Sequence, residues 1–296
     1  MWLADQWNDY EVIDCSKGEK LERWGDYLLV RPDPQVIWDT PKKEKGWRKM
    51  NGHYHRSSKG GGEWEFFQVP KEWTIQYSLP INKKLTFHLK PFSFKHTGLF
   101  PEQAANWNWF SQLIADAVSK GRQVKVLNLF AYTGGATLAA AAAGASVTHV
   151  DASKGMVTWA KENAISSGLK DAPIRWLVDD CVKFVEREIR RGNHYDAIIM
   201  DPPSYGRGPK GEIWKIEESV YPLIQLCSQI LTDNPLFFLI NSYTTGLQPA
   251  VLSYMISTVL GTANGTVTAS EIGLPVSSNG LVLPCGASGR YEATGI

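Results

Sequence analysis

Residues 124–135 read Val-Lys-Val-Leu-Asn-Leu-Phe-Ala-Tyr-Thr-Gly-Gly, and this stretch decides the fold. Residues 124–130 form an apolar run of the length of one buried strand, and an alanine-rich helical segment follows the glycines. Parallel strands need a crossover connection, which is usually a helix, so a strand joined to a helix is the repeating unit of a parallel sheet. Gly134 and Gly135 permit the tight turn between the two.

The same alternation of strand and helix continues on both sides of this stretch. The pattern predicts further strands at residues 146–151, 174–178, 195–201 and 236–241, and further helices at residues 107–119, 155–166, 182–190 and 216–231. We expect the last helix to bend at Pro222. Apolar strands that alternate with helices indicate a mostly parallel sheet covered on both faces, so we predict a Rossmann-like α/β domain over residues 96–296.

The preceding residues have a different pattern. Short β-like runs at residues 27–30, 73–77 and 85–89 are separated by breaks rich in proline, glycine and lysine. This arrangement is typical of short strands joined by turns. We therefore predict a small, antiparallel, β-rich module over residues 1–95, with substrate binding as one interpretation of its role.

A basic stretch with interleaved aromatic residues lies inside this module. It runs from Lys42 to Lys49 and continues to Arg56 and Lys59. One interpretation is a contact to phosphates, with a base stacked on Trp47 or Tyr54. The alternative is a solvated hairpin loop, because such charge runs are common on protein surfaces.

The bulk composition is that of an ordinary globular protein. The chain has 296 residues, is 43% hydrophobic and 21% charged, and has a formal net charge of +1. Binding of a polyanion would therefore need a local patch. The sequence has no signal-peptide pattern, no membrane-spanning run and no Cys-x-x-Cys pair, so we expect a cytoplasmic protein without a metal site. The scattered cysteines are Cys15, Cys181, Cys227 and Cys285.

Ligands of an open α/β sheet bind beyond the carboxyl ends of its strands, so the residues after each predicted strand are candidate site residues. In the loop 131–136, the paired glycines let the backbone approach a ligand closely. The loop lacks the Gly-x-Gly-x-x-Gly spacing of a dinucleotide site and the Lys-Ser/Thr ending of a P-loop. Both departures count against a bound phosphate.

Asp151 ends the second strand, about twenty residues after the glycine turn, which is the separation expected for an acid that binds a ribose. Its carboxylate could accept hydrogen bonds from both ribose hydroxyls. The alternative is an N-cap, because Asp151 precedes a predicted helix.

Asp179 and Asp180 follow the third strand. One of these carboxylates could accept a hydrogen bond from an adenine amino group, and the other could cap the helix that begins near Val182. We favour Asp180 for the adenine.

The fourth strand ends in Asp201-Pro202-Pro203-Ser204-Tyr205. Two prolines fix φ and remove backbone donors, so this turn is stiff and extended. It presents backbone carbonyls and Asp201 at the mouth of the predicted site. An ordinary structural turn is the alternative.

Together these segments resemble a class I S-adenosylmethionine-dependent methyltransferase. The carrying motifs are 128–135, Asp151, Asp180 and 201–205. More narrowly, the chain is similar to the bacterial group of large-subunit ribosomal RNA methyltransferases that make 5-methylcytosine or 7-methylguanine. The segment His-Thr-Gly-Leu-Phe-Pro-Glu-Gln at 96–103 resembles the Lys-Thr-Gly-Phe-Tyr-Leu-Asp-Gln stretch of that group. The resemblance covers about residues 90–290 and implies a sheet with an antiparallel C-terminal strand.

The resemblance implies S-adenosylmethionine as cofactor and an RNA substrate, with ribosomal RNA favoured. The implied catalytic residues are Asp201, Pro202, Pro203 and Tyr205, whose ring would stack on the base. The implied cofactor-binding residues are Phe100, Gln103, Asn128, Phe130, Ala131, Tyr132, Thr133, Gly134, Gly135, Asp151, Ala152, Asp179, Asp180, Cys181 and Asp201.

One departure from that group concerns the acceptor atom. Methylation of a pyrimidine C5 needs a cysteine nucleophile that adds at C6. The cytosine-methylating relatives carry this cysteine after the fifth strand, where this chain reads Ile-Asn-Ser-Tyr-Thr-Thr-Gly at 240–246. Cys181 and Cys285 are more plausible as packed residues. We therefore expect a nitrogen acceptor, for which alignment with the methyl group dominates the rate.

Three other functions remain open from the sequence. A class I fold can serve a methyltransferase that acts on a protein or a small molecule. A nicotinamide-dependent oxidoreductase is disfavoured by the missing pyrophosphate fingerprint. A nucleic-acid-binding module that keeps the pocket without turnover is disfavoured by the intact 201–203 turn.

Overall fold

A computed structural model describes residues 1–91, 94–208 and 210–295. Numbered in chain order, the strands are β1 (Trp2–Leu3), β2 (Tyr10–Ser16), β3 (Glu19–Trp24), β4 (Tyr27–Pro32), β5 (Gly52–Arg56), β6 (Gly62–Phe66), β7 (Trp73–Leu79), β8 (Lys83–Leu89), β9 (Lys125–Leu129), β10 (Ser146–Asp151), β11 (Ile174–Val178), β12 (Ala197–Met200), β13 (Tyr205–Arg207), β14 (Ile213–Lys215), β15 (Phe237–Ser242), β16 (Gly265–Pro275) and β17 (Val282–Ala293). The α-helices are α1 (Ala104–Ser119), α2 (Gly135–Ala142), α3 (Lys154–Ser166), α4 (Cys181–Arg191), α5 (Ile216–Ser228) and α6 (Pro249–Leu260), and short 3₁₀ helices cover Lys45–Trp47 and Pro101–Gln103.

The large sheet has the strand order β1-β16-β17-β15-β12-β9-β10-β11. The strands from β15 to β11 pair in parallel, and β17 pairs antiparallel with both β15 and β16. The predicted mostly parallel Rossmann-like sheet with an antiparallel C-terminal strand is therefore confirmed. Every residue of β12 and β15 is buried, as expected for central strands covered by helices on both faces.

Local signals set the ends of the helices close to their predicted positions. Ser153 caps α3 by accepting a hydrogen bond from the Met156 backbone N–H at 3.3 Å. At the C-terminus of α4, Gly192 ends the helix in the left-handed conformation that glycine adopts without a steric penalty. Pro222 lies inside α5, which continues across it as one helix to Ser228.

The N-terminal module is β-rich, as predicted. It contains a five-stranded sheet in the order β2-β3-β4-β5-β6 and the hairpin β7-β8. The expectation of a purely antiparallel module is wrong, because β4 and β5 pair in parallel. The first strand, β1, pairs with β16 and therefore belongs to the large sheet, although it lies within the range 1–95 predicted for the N-terminal module.

The two modules share one hydrophobic core. Phe87 of β8 lies 5.3 Å from the ring of Trp107 of α1. The backbone of β8 is also held by α3, because Asn163 accepts a hydrogen bond from the His88 N–H at 2.8 Å and Trp159 donates to the His88 carbonyl at 2.9 Å. The hairpin therefore fixes the N-terminal module against the helices beside the glycine loop.

Across the described ranges, no helix combines the length and the apolar character that a membrane span requires.

Candidate functional site

The site lies where the large sheet changes direction. From β9 the chain progresses outward through β10 and β11, whereas β12 lies on the other side of β9 and leads to β15. Beyond the carboxyl ends of these strands, two adjoining cavities of about 440 and 50 Å³ share lining residues Phe100, Phe130, Tyr132 and Asp201. This is the position at which open α/β sheets bind their ligands.

The larger cavity brings together residues from five strand ends and from the 96–103 segment. We call it the cofactor cavity. It is lined by His96, Phe100, Phe130, Tyr132, Asp151, Ala152, Ser153, Asp180, Cys181, Asp201, Pro202, Pro203, Ser204 and Tyr243.

The smaller cavity extends from the cofactor cavity under the glycine loop. Its walls include five further predicted residues, Gln103, Asn128, Ala131, Thr133 and Gly135. Gly134 does not line either cavity. Residues that are far apart in the sequence therefore meet at one carboxyl edge, as predicted.

Three residues of the loop after β9 adopt left-handed backbone conformations, with φ of 55° at Phe130, 53° at Tyr132 and 86° at Gly134. Hydrogen bonds to two other segments also hold this loop. Thr133 donates its hydroxyl to the Gly98 carbonyl at 2.5 Å, and Asn163 donates to the Thr133 carbonyl at 2.9 Å. The 96–103 segment and α3 therefore hold the loop in place.

The glycine pair also has a packing role that the sequence analysis did not predict. A Cβ at Gly134 would lie 2.9 Å from the Ala160 side chain, and one at Gly135 would lie 2.6 Å from the Trp107 ring. The glycines therefore allow α2 to start between α3 and α1. Helix packing therefore requires their small size.

Asp151 is held as a hydrogen-bond acceptor at the floor of the cofactor cavity. One carboxylate oxygen accepts from the Tyr132 N–H at 2.9 Å, and the other accepts from the Ser153 N–H at 2.8 Å. Burial raises the pKa of Asp151, and these two hydrogen bonds oppose that shift. The cap of α3 is Ser153, so the N-cap alternative for Asp151 is wrong.

Asp180 both lines the cofactor cavity and caps α4, because it accepts from the Lys183 N–H at 2.9 Å. The expectation that the other carboxylate would be the cap is wrong: Asp179 forms an ion pair with Arg187 and does not line the cavity. Cys181 lines the cavity beside Asp180, and its sulfur accepts from the Phe130 N–H at 3.3 Å.

Asp201 lies at the junction of the two cavities and is electrostatically unusual. Burial raises its pKa to about 7, and the negative charge of nearby Glu102 adds to the shift. Burial also raises the pKa of Glu102. Asp201 is thus a carboxyl group that gains and loses a proton near neutral pH, a property common among catalytic acids and bases.

The turn after β12 is braced on both sides. The Trp214 indole donates to the Pro203 carbonyl at 2.6 Å, and the hydroxyls of Ser204 and Thr244 lie 2.5 Å apart. Tyr205 does not reach the cavity: its side chain is 51% exposed, and its hydroxyl accepts from Arg207 at 2.9 Å. In this structure the predicted stacking ring therefore lies outside the site.

Tyr243 and His96 are among the cavity residues that the sequence analysis missed. Tyr243 follows β15, and its hydroxyl accepts from the Gln103 amide at 2.7 Å. The rule that directed attention to strand ends would have found it, but only a missing cysteine was noted there. His96 also lines the cavity, and burial with nearby cations lowers its pKa to about 4, so it is neutral at neutral pH.

A third cavity of about 380 Å³ adjoins the cofactor cavity and shares His96, Phe100 and Tyr243 with it. We call it the inter-module cavity, because Lys20 and Arg31 of the N-terminal sheet form its opposite wall. Arg31 is buried and donates to both oxygens of Glu22 at 2.6 and 2.9 Å. The N-terminal module therefore forms part of the entrance to the site.

The basic stretch 42–59 is mostly exposed, but its predicted stacking residues are not. Trp47 and Tyr54 are 8% and 4% exposed, and the Trp47 indole donates to Asp14 at 2.9 Å. Both rings belong to the core of the module, so the interpretation that they stack on a base is wrong. Lys43, Arg48, Lys49, Arg56 and Lys59 are exposed to solvent.

One buried polar atom tests whether the cavity fits a polar cofactor. Tyr132 lines both adjoining cavities, and its buried hydroxyl has no hydrogen-bond partner among the described residues. An unsatisfied buried hydroxyl costs about 1–3 kcal/mol. A ligand with hydroxyl, amino or carboxylate groups, as S-adenosylmethionine has, would satisfy it, so the residues present fit that cofactor.

These features define a class of protein. A parallel sheet with an antiparallel last strand, a cavity at its switch point, a glycine turn without a phosphate signature and carboxylates at successive strand ends are those of a class I methyltransferase. The chain belongs to the S-adenosylmethionine-dependent methyltransferase family, whose model matches residues 48–215. The nicotinamide-dependent alternative is therefore wrong, and S-adenosylmethionine is the cofactor of the family.

The comparisons with individual proteins agree. A solved S-adenosylmethionine-dependent methyltransferase from Agrobacterium tumefaciens is 36% identical, covers 97% of this chain and 91% of its own, and superimposes with a TM-score of 0.88. The fold also matches SMU.776, solved as a complex with S-adenosylhomocysteine, at 20% identity, with a TM-score of 0.71 and coverage of 97% and 76%.

A curated relative has an RNA substrate in its name. The ribosomal RNA large subunit methyltransferase K/L of Pseudoalteromonas atlantica is 28% identical over 257 residues, which are 76% of this chain and 33% of that protein. The chain thus spans about a third of the length of this relative.

Proposed function

We propose that this protein transfers a methyl group from S-adenosylmethionine to a nitrogen of an RNA base, with ribosomal RNA favoured. The observation that carries the proposal is the position of Asp201, at the junction of the cofactor cavity and its extension and on a braced turn. The names of the ribosomal RNA methyltransferases to which the chain is similar support RNA as the acceptor.

We assign the cofactor to the two adjoining cavities. Asp151 would accept hydrogen bonds from the ribose, since each of its oxygens accepts one backbone hydrogen bond and a carboxylate oxygen can accept two. Asp180 would accept from the adenine amino group, and Tyr132 would donate its hydroxyl. When bound, the cofactor supplies a methyl group on a positively charged sulfur, which a nitrogen lone pair can attack in line.

Asp201 and the Pro202 carbonyl would hold the acceptor. The Pro203 carbonyl already accepts from Trp214, which leaves these two oxygens to accept from an amino group of the base. Ionised Asp201 would orient the amino group and take up the proton that the nitrogen loses on methylation. The stiffness of the turn would keep the lone pair aligned, and such positioning dominates this type of reaction.

The thiols near the site favour nitrogen over a pyrimidine carbon. A thiolate is the nucleophile in cysteine-dependent C5 chemistry. Cys181 and Cys285 line the cofactor and inter-module cavities, but burial raises the pKa of Cys181 to about 12 and that of Cys285 well above its usual range. Both are protonated at neutral pH, and Cys285 also donates to the Leu283 carbonyl at 3.4 Å.

Transfer of tritiated methyl groups from S-adenosylmethionine tests the proposal. The purified chain is incubated with total RNA, with protein and with small-molecule fractions from the same cells. We expect label in RNA, and nuclease digestion should release it as an N-methylated nucleoside. Label in protein or small molecules would overturn the RNA acceptor, and label at C5 of a pyrimidine would overturn the nitrogen acceptor.

A further inference from the structure

The outermost strand of the N-terminal sheet carries aromatic side chains on one face. Trp64 and Phe66 of β6 have nearly parallel rings, with centroids 5.5 Å apart and planes 10° apart. Phe66 is 48% exposed. Its partner across the sheet is Gly52, which has no side chain to cover the ring. A half-exposed ring that extends a stack is a surface on which a further planar group can stack.

Arg56 provides a cation on the same face. It lies two residues from Tyr54, which pairs directly with Trp64, so alternation along β5 directs Arg56 to the side of the aromatic rings. Arg56 is exposed, and no ion pair joins it to another described residue. We call Arg56, Trp64 and Phe66 the aromatic edge.

The acidic side chains of this hairpin lie on its opposite face. Glu63 and Glu65 alternate with the rings along β6, and Glu65 forms a hydrogen bond with His55 at 2.8 Å. The hairpin β5-β6 therefore separates its charges, with carboxylates on one side and the cation and rings on the other. A polyanion with planar bases complements only the side of the aromatic edge.

The aromatic edge is continuous with the entrance to the active site. Lys20, Arg31 and Gly52 share one face of the sheet, because Lys20 pairs with Arg31 and Leu29 pairs with Gly52. Lys20 and Arg31 line the inter-module cavity, which adjoins the cofactor cavity. From β4 to β6 the distance across the sheet is about 10 Å.

The segment that leads to the site is tied to the aromatic edge. Trp64 donates its indole N–H to the Phe94 carbonyl at 3.0 Å, and Arg31 donates to the Lys95 carbonyl at 2.9 Å. Lys95 lines the inter-module cavity, and burial, together with the charges of Lys20, Arg31 and Arg56, lowers its pKa to about 8. Arg56 on the aromatic edge and Lys95 in the wall of the inter-module cavity thus supply a cation at each end of this connection.

We infer that the aromatic edge binds single-stranded RNA beside the nucleotide that enters the active site, with a base stacked on Phe66 and a phosphate against Arg56. This inference rests on the proposed RNA acceptor. Sequence-tolerant binding of single strands typically combines aromatic stacking with cations along the backbone. Duplex RNA would not offer an unstacked base to Phe66.

The test measures binding of the full chain to a labelled oligoadenylate by fluorescence anisotropy, with S-adenosylhomocysteine present. Phe66→Ala should weaken binding about tenfold, as expected for the loss of one stacked base. Phe67→Ala is the matched control, because Phe67 is 55% exposed but lies outside β6 and the ring stack. It should bind like the wild type.

The cation is tested by the salt dependence of the same binding. Arg56→Ala should reduce the slope of log affinity against log salt by about 0.7, the value for one phosphate contact on a single strand. Arg190→Ala removes an exposed arginine from α4, on the methyltransferase domain, and should leave the slope unchanged. Annealing the strand with oligouridylate should abolish the difference between Phe66→Ala and the wild type.

Methyl transfer separates failure of this inference from failure of the proposed function. In transfer to RNA, Phe66→Ala should raise KM and leave kcat unchanged, since the edge contacts flanking nucleotides. If RNA is methylated but Phe66→Ala behaves like Phe67→Ala, the aromatic edge is wrong and the RNA acceptor stands. If the wild type labels only protein or small molecules, both are wrong.

Discussion

The loops after β10 and β12 each present an aspartate to the same cavity, and burial raises the pKa of both, but only at Asp151 do hydrogen bonds oppose the shift. Asp151 accepts two backbone hydrogen bonds, which stabilise its ionised form. Asp201 lies beside Glu102, and burial raises its pKa to about 7. The comparison indicates that the two residues have different roles. Asp151, a fixed hydrogen-bond acceptor, suits the binding of a cofactor, and Asp201, a carboxyl group that exchanges a proton, suits the chemical step.

The largest expected effect concerns the role of Asp201 in the chemical step. Asp201→Asn should reduce methyl transfer about 100-fold or more, because the amide cannot take up a proton from the acceptor. The affinity for S-adenosylhomocysteine should change little. Tritiated methyl transfer and calorimetry on the same preparation measure the two quantities, and a parallel loss of both would contradict this difference in roles.

The corresponding test of cofactor binding is made at Asp151. Asp151→Ala should weaken cofactor binding by about 1–3 kcal/mol through lost hydrogen bonds. Asp179→Ala is the control, because Asp179 is a neighbouring strand-end aspartate that pairs with Arg187 outside the cavity. Calorimetry with S-adenosylhomocysteine should separate the two variants, and equal affinities would refute the role of Asp151.

Stability should move in opposite directions at the two positions. The pKa of Asp201 is raised when folded, so the protein loses stability as pH rises from about 4 to 7 and this residue ionises. Asp201→Asn should remove that loss. The variant should therefore be more stable than the wild type by a free energy of unfolding of order 1 kcal/mol above pH 7, and this difference should fade towards pH 4. Asp151→Asn should lose about 1 kcal/mol, because its amide nitrogen cannot accept a backbone hydrogen bond.

Thermal unfolding of both variants at about pH 8 and about pH 5 measures this difference. Stabilisation by Asp201→Asn that is equal at the two values would show that ionisation of Asp201 is not its cause. Stabilisation by Asp151→Asn would show that the backbone hydrogen bonds to Asp151 contribute little.

The smallest expected effect concerns Tyr132, which lines the cofactor cavity. Tyr132→Phe removes a buried hydroxyl that has no described partner, so the free protein should be at least as stable as the wild type. Affinity for S-adenosylhomocysteine should fall by about 0.5–1.5 kcal/mol if the cofactor supplies the missing partner. Tyr77→Phe, which removes a hydroxyl bonded to Asn108 away from the cavities, should leave affinity unchanged.

The sequence predicted the large sheet well, because its strands are continuous apolar runs and its helices fill the intervals between them. The strand-end rule then placed Asp151, Asp180 and Asp201 in one cavity. The N-terminal sheet was harder to predict. β3 contains Glu-Lys-Leu-Glu-Arg-Trp, and the burial of Glu22 depends on Arg31 of another strand, which no local pattern reveals.

Roles that depend on close contacts also escaped the sequence analysis. Nothing local shows that Gly134 and Gly135 face Ala160 and Trp107, or that Asp180 rather than Asp179 caps α4. The resemblance also implied a stacking role for Tyr205, whereas the hairpin β13-β14 directs its ring to solvent. These are tertiary facts, since each depends on which element packs against the residue.

The pH dependence of kcat/KM for methyl transfer to RNA, compared between the wild type and Asp201→Asn, tests the central claim most directly. For the wild type we predict a rate that falls as pH drops through about 7, since Asp201 then becomes protonated, and a plateau above it. Asp201→Asn should be slow and lack this inflection. A wild-type profile that is flat through this range, or the same inflection in the variant, would contradict the account.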